Sequence, residues 1–403
     1  MTMNKLDALL GPFNPNKMAA KSAPDPLKVL VLDATGDEGF SVCKSMLKDG
    51  GFYIWGLVPN ADTPVARELN RLQVQIVEGE LNRPDTFQSQ LAGMDGIFIP
   101  SDIFSTPESV TYGKSLIDMC KVAGVGHIIF TALDLVPNGE GSDHPGGQIL
   151  SYIKQTYTGH AEHEDRPHGA HHHLHWTILY PGWKFSKLIT LDLFSKVPVS
   201  KLPTGSREPN AAKALKQNVS RKEGEQAARL ASDDGEEWLL RVPLPDETKI
   251  PGYAVEQLGL WVKAAFLKHK KFRESIIQAC STMVTPLEMA EVLSKVAGKP
   301  VRTLGLTFEE FFSEDFKTDM GETKWERYRA AAEGHFERDP EASRKIVPEQ
   351  WNFGQWARQS KELAALFEED NHQQEEKGQH GRQNDEEMRS RGVIIGPQEA
   401  LDT

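Results

Sequence analysis

The amino-acid sequence predicts an α/β fold with a doubly wound parallel sheet, and two observations carry this prediction. From Lys28 to Asp134, short apolar segments of strand length alternate with amphipathic segments of helix length. Helical connections at this spacing join parallel strands, and right-handed crossovers place the helices on both faces of the sheet. The first strand runs into a glycine turn and a helix, as in a Rossmann-type dinucleotide-binding domain.

Each element of this first half follows from local signals. Apolar runs ended by turns predict the strands, and apolar residues at helical spacing predict the helices. Gly50–Gly51 ends the first helix, and Pro64 stands in the first turn of the second. The predicted strands are 28–34, 52–60, 74–81, 95–102 and 125–134, and the predicted helices are 38–51, 63–72, 83–94 and 106–124.

After Asp134 the regular alternation breaks. Prolines between 186 and 250 mark loops. Thr285 followed by Pro286 is typical of a helix start, and Gly298 of its end. The elements predicted here are a helix at 148–157, a strand at 176–185, a helix at 254–269, a strand at 274–280 and a helix at 285–301.

The two ends of the chain differ in composition from its middle. Residues 1–26 are rich in Pro, Asn, Lys and Ala and are predicted to be flexible. Trp-containing segments predict a helical extension at 311–367. Between Glu368 and Gly392, Met388 is the one residue with a large apolar side chain. Residues 368–403 are therefore predicted to be a disordered acidic tail.

Charge and composition exclude several classes of function. A net charge of −12 without a long basic stretch predicts neither direct nucleic-acid binding nor attachment to an anionic membrane. There is no apolar run of membrane-spanning length, and the first residues lack the apolar region of a secretory leader, so we expect neither a membrane span nor secretion. Three widely spaced cysteines are not expected to form a disulfide framework. The expected location is therefore the cytoplasm, the nucleus or both, and any role in gene control would act through another protein.

Five stretches occur in an order that is typical of one family. They are LDATGDEGFSVCKSMLKDG, VQIVEGELNRPDTFQSQLAGMDGIFIPSD, GVGHIIFTALD, HWTILYPG and TPLEMAEVLSKVAGKPVRTL. Together they resemble the NmrA-like proteins, atypical relatives of the short-chain dehydrogenases. The resemblance implies a Rossmann domain with a smaller C-terminal α/β lobe at 27–310 and a cleft between them. Such proteins include enzymes of small molecules and dinucleotide-binding regulators that control a GATA-type transcription factor or report redox state.

The glycine turn departs from the Gly-x-x-Gly-x-x-Gly form of that family. Gly36 and Gly39 stand at the second and third positions, but Asp33 takes the first. Asp37 and Glu38 add carboxylates where the helix N-terminus would face a pyrophosphate. A phosphate site is still the favoured interpretation, and weak or lost binding is the alternative, since each charge opposes a bound pyrophosphate. The cofactor-binding residues predicted here are Asp33, Ala34, Thr35, Gly36, Asp37, Glu38 and Gly39.

The other strand ends complete the predicted dinucleotide site. After the second strand, Pro59 stands where NADP-type members of the family carry an arginine, so the resemblance favours NAD over NADP. Asn60 is a polar candidate there, as is Asp62. By the same resemblance, Glu80 and Leu81 would contact the adenine side. Because ligands gather at strand ends, the remaining candidates are Ser101, Asp102 and Thr131.

Catalytic residues are harder to place. Short-chain dehydrogenases use a tyrosine acid and a lysine four residues later, and this pair is absent after the fifth strand. Tyr152 and Lys154 are two residues apart, and no lysine follows Tyr157 at the required distance. Lys154 is either the counterpart of the family's lysine, on the cofactor, or a solvated surface lysine. No other catalytic residue is predicted.

Histidines and cysteines offer two weaker candidates. Seven of the thirteen histidines cluster at His160, His163, His168, His171, His172, His173 and His175. Their spacing matches no catalytic zinc motif, so a polar surface insertion without a metal is favoured over a metal site or a pH-sensitive loop. Buried, inert thiols are expected at Cys43, Cys120 and Cys280.

Three hypotheses of function remain open. The favoured one is a dinucleotide-binding regulator, a redox or NAD(P) sensor that negatively modulates a GATA-type transcription factor in nitrogen metabolite repression through protein–protein contact. The alternative is an NAD(P)-dependent oxidoreductase of a small metabolite whose substrate supplies the proton. The third is a scaffold that has lost nucleotide binding.

Overall fold

The structure is a computed structural model that describes residues 25–48, 50–132, 144–158, 174–215 and 235–370. Its strands are β1 Leu27–Val31, β2 Phe52–Val58, β3 Gln75–Glu78, β4 Gly96–Ile99, β5 His127–Thr131, β6 His175–Pro181, β7 Trp183–Lys184, β8 Phe194–Pro198, β9 Glu236–Leu240, β10 Ile250–Tyr253, β11 Ser275–Ala279, β12 Thr282–Val284 and β13 Val301–Thr303.

Helices connect most of these strands. The α-helices are α1 Asp37–Leu47, α2 Pro64–Arg71, α3 Ser109–Ala123, α4 Pro145–Tyr157, α5 Lys187–Thr190, α6 Leu258–Leu267, α7 His269–Phe272, α8 Pro286–Ala297, α9 Phe308–Phe311, α10 Glu314–Met320, α11 Glu322–Ala332, α12 Pro340–Ile346 and α13 Phe353–Gln359, and residues 210–215 and 361–370 are also helical. Short 3₁₀ helices span Pro84–Leu91, Ser101–Ile103, Val199–Lys201 and Val255–Gln257.

A seven-stranded parallel sheet forms the centre of the first lobe, in the order β3-β2-β1-β4-β5-β6-β11. The strand order reverses between β1 and β4, and ligands of such sheets bind at this switch point. The predicted α/β class with a doubly wound parallel sheet is confirmed.

Side chains of β1 show why the sheet is covered on both faces. Val29 and Val31 point into a core with α1, α2 and α6, whereas Leu30 and Leu32 point into a core with α3 and α4. Successive side chains of a strand alternate between faces, so an all-apolar strand requires helices on both sides. All four side chains are fully buried.

Two sequence-based assignments differ from the structure. Segment 83–94, predicted as an ordinary helix, contains the 3₁₀ helix Pro84–Leu91. The predicted strand 176–185 divides at Gly182 into β6 and β7. A Cβ at Gly182 would lie 2.5 Å from the carbonyl oxygen of Pro251, so glycine permits the close approach by which β7 leaves the large sheet and pairs with β10.

The second lobe has two small sheets, β12-β10-β7 and β13-β9-β8, around a core of its own. The helical extension packs on both lobes. Ser343 Oγ of α12 accepts hydrogen bonds from Trp261 Nε1 (3.0 Å) and from the amide of Cys280 (3.3 Å). The Gln257 side chain is held by backbone groups of Glu349 and Trp351. The extension therefore shares its core with the rest of the protein.

The last described helix, 361–370, is anchored at its end by an ion pair. Lys196 and Lys299 both contact the carboxylate of Asp370, whose side chain is nearly buried. Burial raises the pKa of Asp370, but hydrogen bonds from the two lysines outweigh this and hold that pKa below its usual range. The helix thus continues three residues into the segment predicted as a tail, and the rest of that segment lies outside the described residues.

We expect the substitution Asp370→Asn to lower the free energy of unfolding by about 2 kcal/mol, because two lysines lose a charged hydrogen-bond acceptor. In the variant, the increase in amide hydrogen exchange over the parent should be larger in 361–370 than in α13. Glu309→Gln removes an exposed carboxylate in the same lobe and should change neither quantity. Equal exchange in the variant and the parent would contradict the anchoring role.

Candidate functional site

The glycine turn lies at the switch point, between the end of β1 and the start of α1. Asp33 has a φ of +47°, a conformation that glycine adopts at little cost and that the first motif position requires here. A Cβ at Gly36 would lie 2.2 Å from Asp33 Oδ2, and one at Gly39 would lie 2.1 Å from the Asp33 carbonyl oxygen. The backbone of the turn therefore requires glycine at position 39, whereas the atoms nearest to Gly36 belong to the Asp33 side chain. The Asp33 carboxylate lies over the backbone that a pyrophosphate would approach.

Lys184 of β7 brings the acidic residues of this turn together. Its Nζ lies 3.1 Å from Asp37 Oδ1, 3.1 Å from Glu38 Oε1 and 2.9 Å from Asp102 Oδ2. Burial lowers the pKa of Lys184, but the carboxylates of Glu38, Asp102 and Asp37 outweigh it and hold that pKa above its ordinary value. Lys184 is therefore a charged lysine whose donors are already used by the protein.

Glu38 is the buried centre of this network. It accepts hydrogen bonds from Thr131 Oγ1 (2.9 Å) and from Tyr253 Oη (3.4 Å), and Thr131 Oγ1 in turn accepts one from the amide of Ser101 (3.0 Å). Burial raises the pKa of Glu38, which the Lys184 ammonium partly opposes. The network joins the start of α1, the ends of β4 and β5 and the second lobe.

The balance of charge at this edge opposes an anionic ligand. Four carboxylates, those of Asp33, Asp37, Glu38 and Asp102, surround one ammonium. Burial and the neighbouring Asp37 and Asp102 raise the pKa of Asp33. A phosphate about 4 Å from one unpaired carboxylate would be repelled by roughly 4 kcal/mol at an effective dielectric constant of about 20. Pyrophosphate binding therefore requires the Asp33 carboxyl to move or to take up a proton.

A cavity of about 410 Å³ lies beside the turn, on the side of β2 and β3. This volume is within the range of small-molecule pockets. Its lining combines apolar, aromatic and polar side chains, namely Asp33, Pro59, Glu80, Leu81, Asn82, Ile103 and Tyr112. Asn60 lies on the exposed rim, where its side chain accepts a hydrogen bond from the amide of Asp62 (2.7 Å).

The structure brings most of the predicted site residues to one edge of the sheet, but not Lys154. The Lys154 ammonium lies 5.3 Å from the ring centre of Trp176, near the amino end of β6 and thus at the opposite edge from the cleft. Tyr152 donates to Asp118 and Tyr157 to the carbonyl of Val125. Of the two interpretations given from the sequence, the position of Lys154 agrees with a surface lysine that packs on the indole of Trp176.

Lys184 and Tyr253 belong to the site and were not predicted from the sequence. Lys184 follows the Pro-Gly turn that ends the sixth strand. Because ligands bind at the carboxyl ends of such strands, a charged residue at this position could have been predicted as a site residue. Tyr253 gave no signal, because its contact with Glu38 spans 215 residues and depends on how the second lobe docks.

The histidine-rich segment lies outside the described residues apart from His175. The His175 ring packs 4.1 Å from the ring of buried His127. Within the described ranges, no group of three or more His, Cys, Asp or Glu side chains is arranged to hold a metal ion. No helix in the same ranges is both long enough and apolar enough to cross a membrane.

All three cysteines are buried, and burial raises the pKa of the thiols of Cys43 and Cys120 to about 12 and of Cys280 to about 11. We therefore expect the native protein to react with a thiol reagent at pH 8 at least a hundredfold more slowly than the unfolded chain. Absorbance after addition of an aromatic disulfide measures this rate. A fast phase in native protein would show that one thiol is accessible.

The sheet order and the glycine turn at the switch point define a Rossmann-type α/β protein, a class whose ligands bind at this edge of the sheet. The chain belongs to the NmrA-like family, whose model matches residues 26–150 and 214–338. An NmrA-like family domain-containing protein of Dictyostelium discoideum is 21% identical over 282 residues, 68% of this chain and 78% of that protein.

Shorter segments of the chain match enzymes of the same family and an azoreductase. The chain is 32% identical to an NmrA-like family domain-containing oxidoreductase of Aspergillus flavus over 117 residues, 27% of this chain and 35% of that protein. It is 33% identical to the NAD(P)H azoreductase of Xenophilus azovorans over 103 residues, 26% and 34% of the two chains. These matches span about a third of each enzyme.

Two solved structures share the fold. NmrA, a negative transcriptional regulator solved with NADP, superimposes with a TM-score of 0.57 at 15% identity, covering 83% of this chain and 95% of that one. The triphenylmethane reductase of Citrobacter sp. complexed with NADP(H) superimposes with a TM-score of 0.53 at 16% identity, covering 84% of this chain and 100% of that one. NmrA was also solved with NAD.

Proposed function

We propose that this protein is a non-catalytic regulator that acts through protein–protein contact, with the cleft as its ligand-responsive site. One observation carries the proposal: the cleft lysine, Lys184, is held by three carboxylates. Tyr253, which pairs with Lys184 between β10 and β7, is fully buried and donates to Glu38. A reductase of this fold needs a proton donor that faces the substrate, and these two side chains do not supply one.

The ligand of the regulator is a nicotinamide dinucleotide, NAD or NADP, bound weakly. The fold and the switch-point cavity favour a dinucleotide, whereas Asp33 over the glycine turn opposes its pyrophosphate. Among the described residues, no arginine lines the cavity beside Pro59, which favours NAD. A weakly bound ligand suits a sensor, because occupancy then varies with the cellular concentration.

The partner is a transcription factor of the GATA type, which the protein restrains in nitrogen metabolite repression, or another regulatory protein. The support is the family's regulatory member and the charge of −12, which favours a basic protein surface and disfavours nucleic acid. Contact with such a partner would occur in the cytoplasm or the nucleus.

Two measurements on the purified protein test this function. First, absorbance at 340 nm follows NADH and NADPH with a panel of quinones, azo dyes and triphenylmethane dyes, and we expect no turnover above 10⁻² per second. Second, calorimetry measures affinity for a GATA-type zinc-finger protein with and without saturating NAD, and we expect a change of fivefold or more. Turnover at ordinary enzyme rates, or partner affinity that NAD leaves unchanged, would contradict the proposal.

An oxidoreductase of a small metabolite is the second candidate. The observation that favours it is the match of 26–27% of the chain to an NmrA-like oxidoreductase and an azoreductase at 32–33% identity. In such an enzyme the substrate would supply the proton, since Lys184 and Tyr253, among the described residues of the cleft, are both bonded within the protein. The turnover assay above separates this function from the regulator.

A further inference from the structure

The lining of the cavity beside the glycine turn has two chemical characters. Leu81, Ile103 and Pro59 contribute apolar groups and Tyr112 an aromatic ring, and we call this part of the lining the base end. Asp33 contributes a carboxylate where the motif usually has a glycine, and we call it the acidic end. The base end suits a flat base, and the acidic end suits a group that is not anionic.

We propose that this cavity binds an adenosine-type nucleoside without negative charge at its 5′ carbon, in preference to a dinucleotide. The inference rests on the proposed function, because it names the ligand class of the same site. The ligand class includes neutral adenosine compounds and those with a cationic 5′ substituent.

The base end of the cavity is preorganised. Tyr112 Oη donates to the carbonyl of Ile103 (3.3 Å), and its ring lies 6.1 Å from that of Phe104. A ring fixed in this way offers a stacking surface at little cost in entropy. The Asn82 side chain carries both an amide donor and an acceptor, the pair that matches the edge of adenine. A volume of about 410 Å³ accommodates one nucleoside.

The acidic end selects the 5′ substituent. Ribose hydroxyl groups donate hydrogen bonds to carboxylates, so Asp33 can bind the sugar where a glycine cannot. Asp37 and Asp102 lie close enough to Asp33 to raise its pKa, so their negative charges add to the negative potential at Asp33. Lys184 cannot offset that potential for a ligand, because its ammonium is bonded to Asp37, Glu38 and Asp102. A phosphate is thus repelled and an ammonium attracted.

Glu80 supports the same assignment at the rim. Its carboxylate lies 3.2 Å from Arg83 Nε, so the one arginine at this rim segment is neutralised by its neighbour. The Glu80 amide donates to Thr86 Oγ1, which fixes the segment. The residues lining the cavity include two acids and no base, which suits a ligand without phosphate.

Three ligands that differ only at the 5′ carbon test the proposal: adenosine, 5′-amino-5′-deoxyadenosine and AMP. Calorimetry with the full chain at 50 mM salt and pH 7 should give at least tenfold tighter binding for the amine than for AMP. Adenosine should bind tighter than NAD. Asp33→Asn should reduce the amine-to-AMP ratio at least threefold, whereas the distant charge control Glu309→Gln should leave it unchanged.

Several results would overturn the proposal. These are AMP or NAD binding as tightly as adenosine, a ratio unchanged in Asp33→Asn, or no binding of any nucleoside. If Asp33→Asn does not fold, the wild-type ratio must fall when salt is raised to 500 mM, because screening weakens both charge effects. Tight NAD binding without turnover would reject this ligand class and leave the regulator intact, whereas NADH consumption would reject the regulator.

Discussion

Lys184→Met is expected to lower the free energy of unfolding at pH 7 by about 3 kcal/mol. The Lys184 and Glu38 side chains are 11% and 6% exposed, and removing one partner leaves the other as an uncompensated buried charge. Chemical denaturation followed by tryptophan fluorescence measures the loss. Lys268→Met, which removes an exposed lysine at the end of α6, should cost less than 0.5 kcal/mol.

The dependence of this loss on pH identifies its cause. Burial raises the pKa of Glu38 above its unfolded value, so the folded state takes up the proton more readily. The deficit of Lys184→Met should therefore be largest at neutral pH and shrink as the pH falls and Glu38 is neutralised. The double variant Lys184→Met/Glu38→Gln should recover about half of the loss. A deficit that is constant with pH would instead indicate lost packing.

Asp33→Gly is expected to raise the affinity for NAD about tenfold or more at pH 7. The substitution removes a negative charge from the pyrophosphate position, and tenfold corresponds to about 1.4 kcal/mol, less than the repulsion between charges at about 4 Å. Glycine adopts the φ of +47° without strain, so the stability of the protein should change by less than about 1 kcal/mol. Calorimetry with NAD measures the affinity.

Asp33→Asn separates charge from shape in this prediction. Asparagine tolerates positive φ and has nearly the size of aspartate, so a gain in both variants identifies charge and a gain in glycine alone identifies steric blocking. Because burial and neighbouring acids raise the pKa of Asp33, wild-type affinity for NAD should increase as the pH falls. Both variants should lose most of that dependence. Equal affinity in all three proteins at every pH would contradict the role of Asp33.

The sequence predicted the central sheet because its evidence was local. The runs around Val29 and Ile128 are apolar on both faces, and the segments between them have helical periodicity, so element type and order followed directly. The break at Gly182 escaped prediction because it depends on a contact with distant backbone, that of Pro251. The 3₁₀ form of Pro84–Leu91 was not predicted either.

The site was predictable where it follows strand ends and not where it depends on docking. Asp33, Asp102 and Thr131 follow apolar strands, and they meet at one edge of the sheet as strand direction requires. The position of Lys184 depends on the pairing of β7 with β10 in the second lobe, and its contact with Glu38 depends on the burial of both side chains. Neither the pairing nor the burial can be predicted from the periodicity of the sequence.

The contacts of Ser343 have a practical consequence for anyone preparing this protein in shortened form. The family model ends at residue 338, which invites truncation there. Such a fragment would lose the hydroxyl that satisfies Trp261 Nε1 and the Cys280 amide, and it would expose Trp261, which is otherwise fully buried. Insoluble or chaperone-bound material is the expected product, so a soluble fragment should extend at least through Asp370.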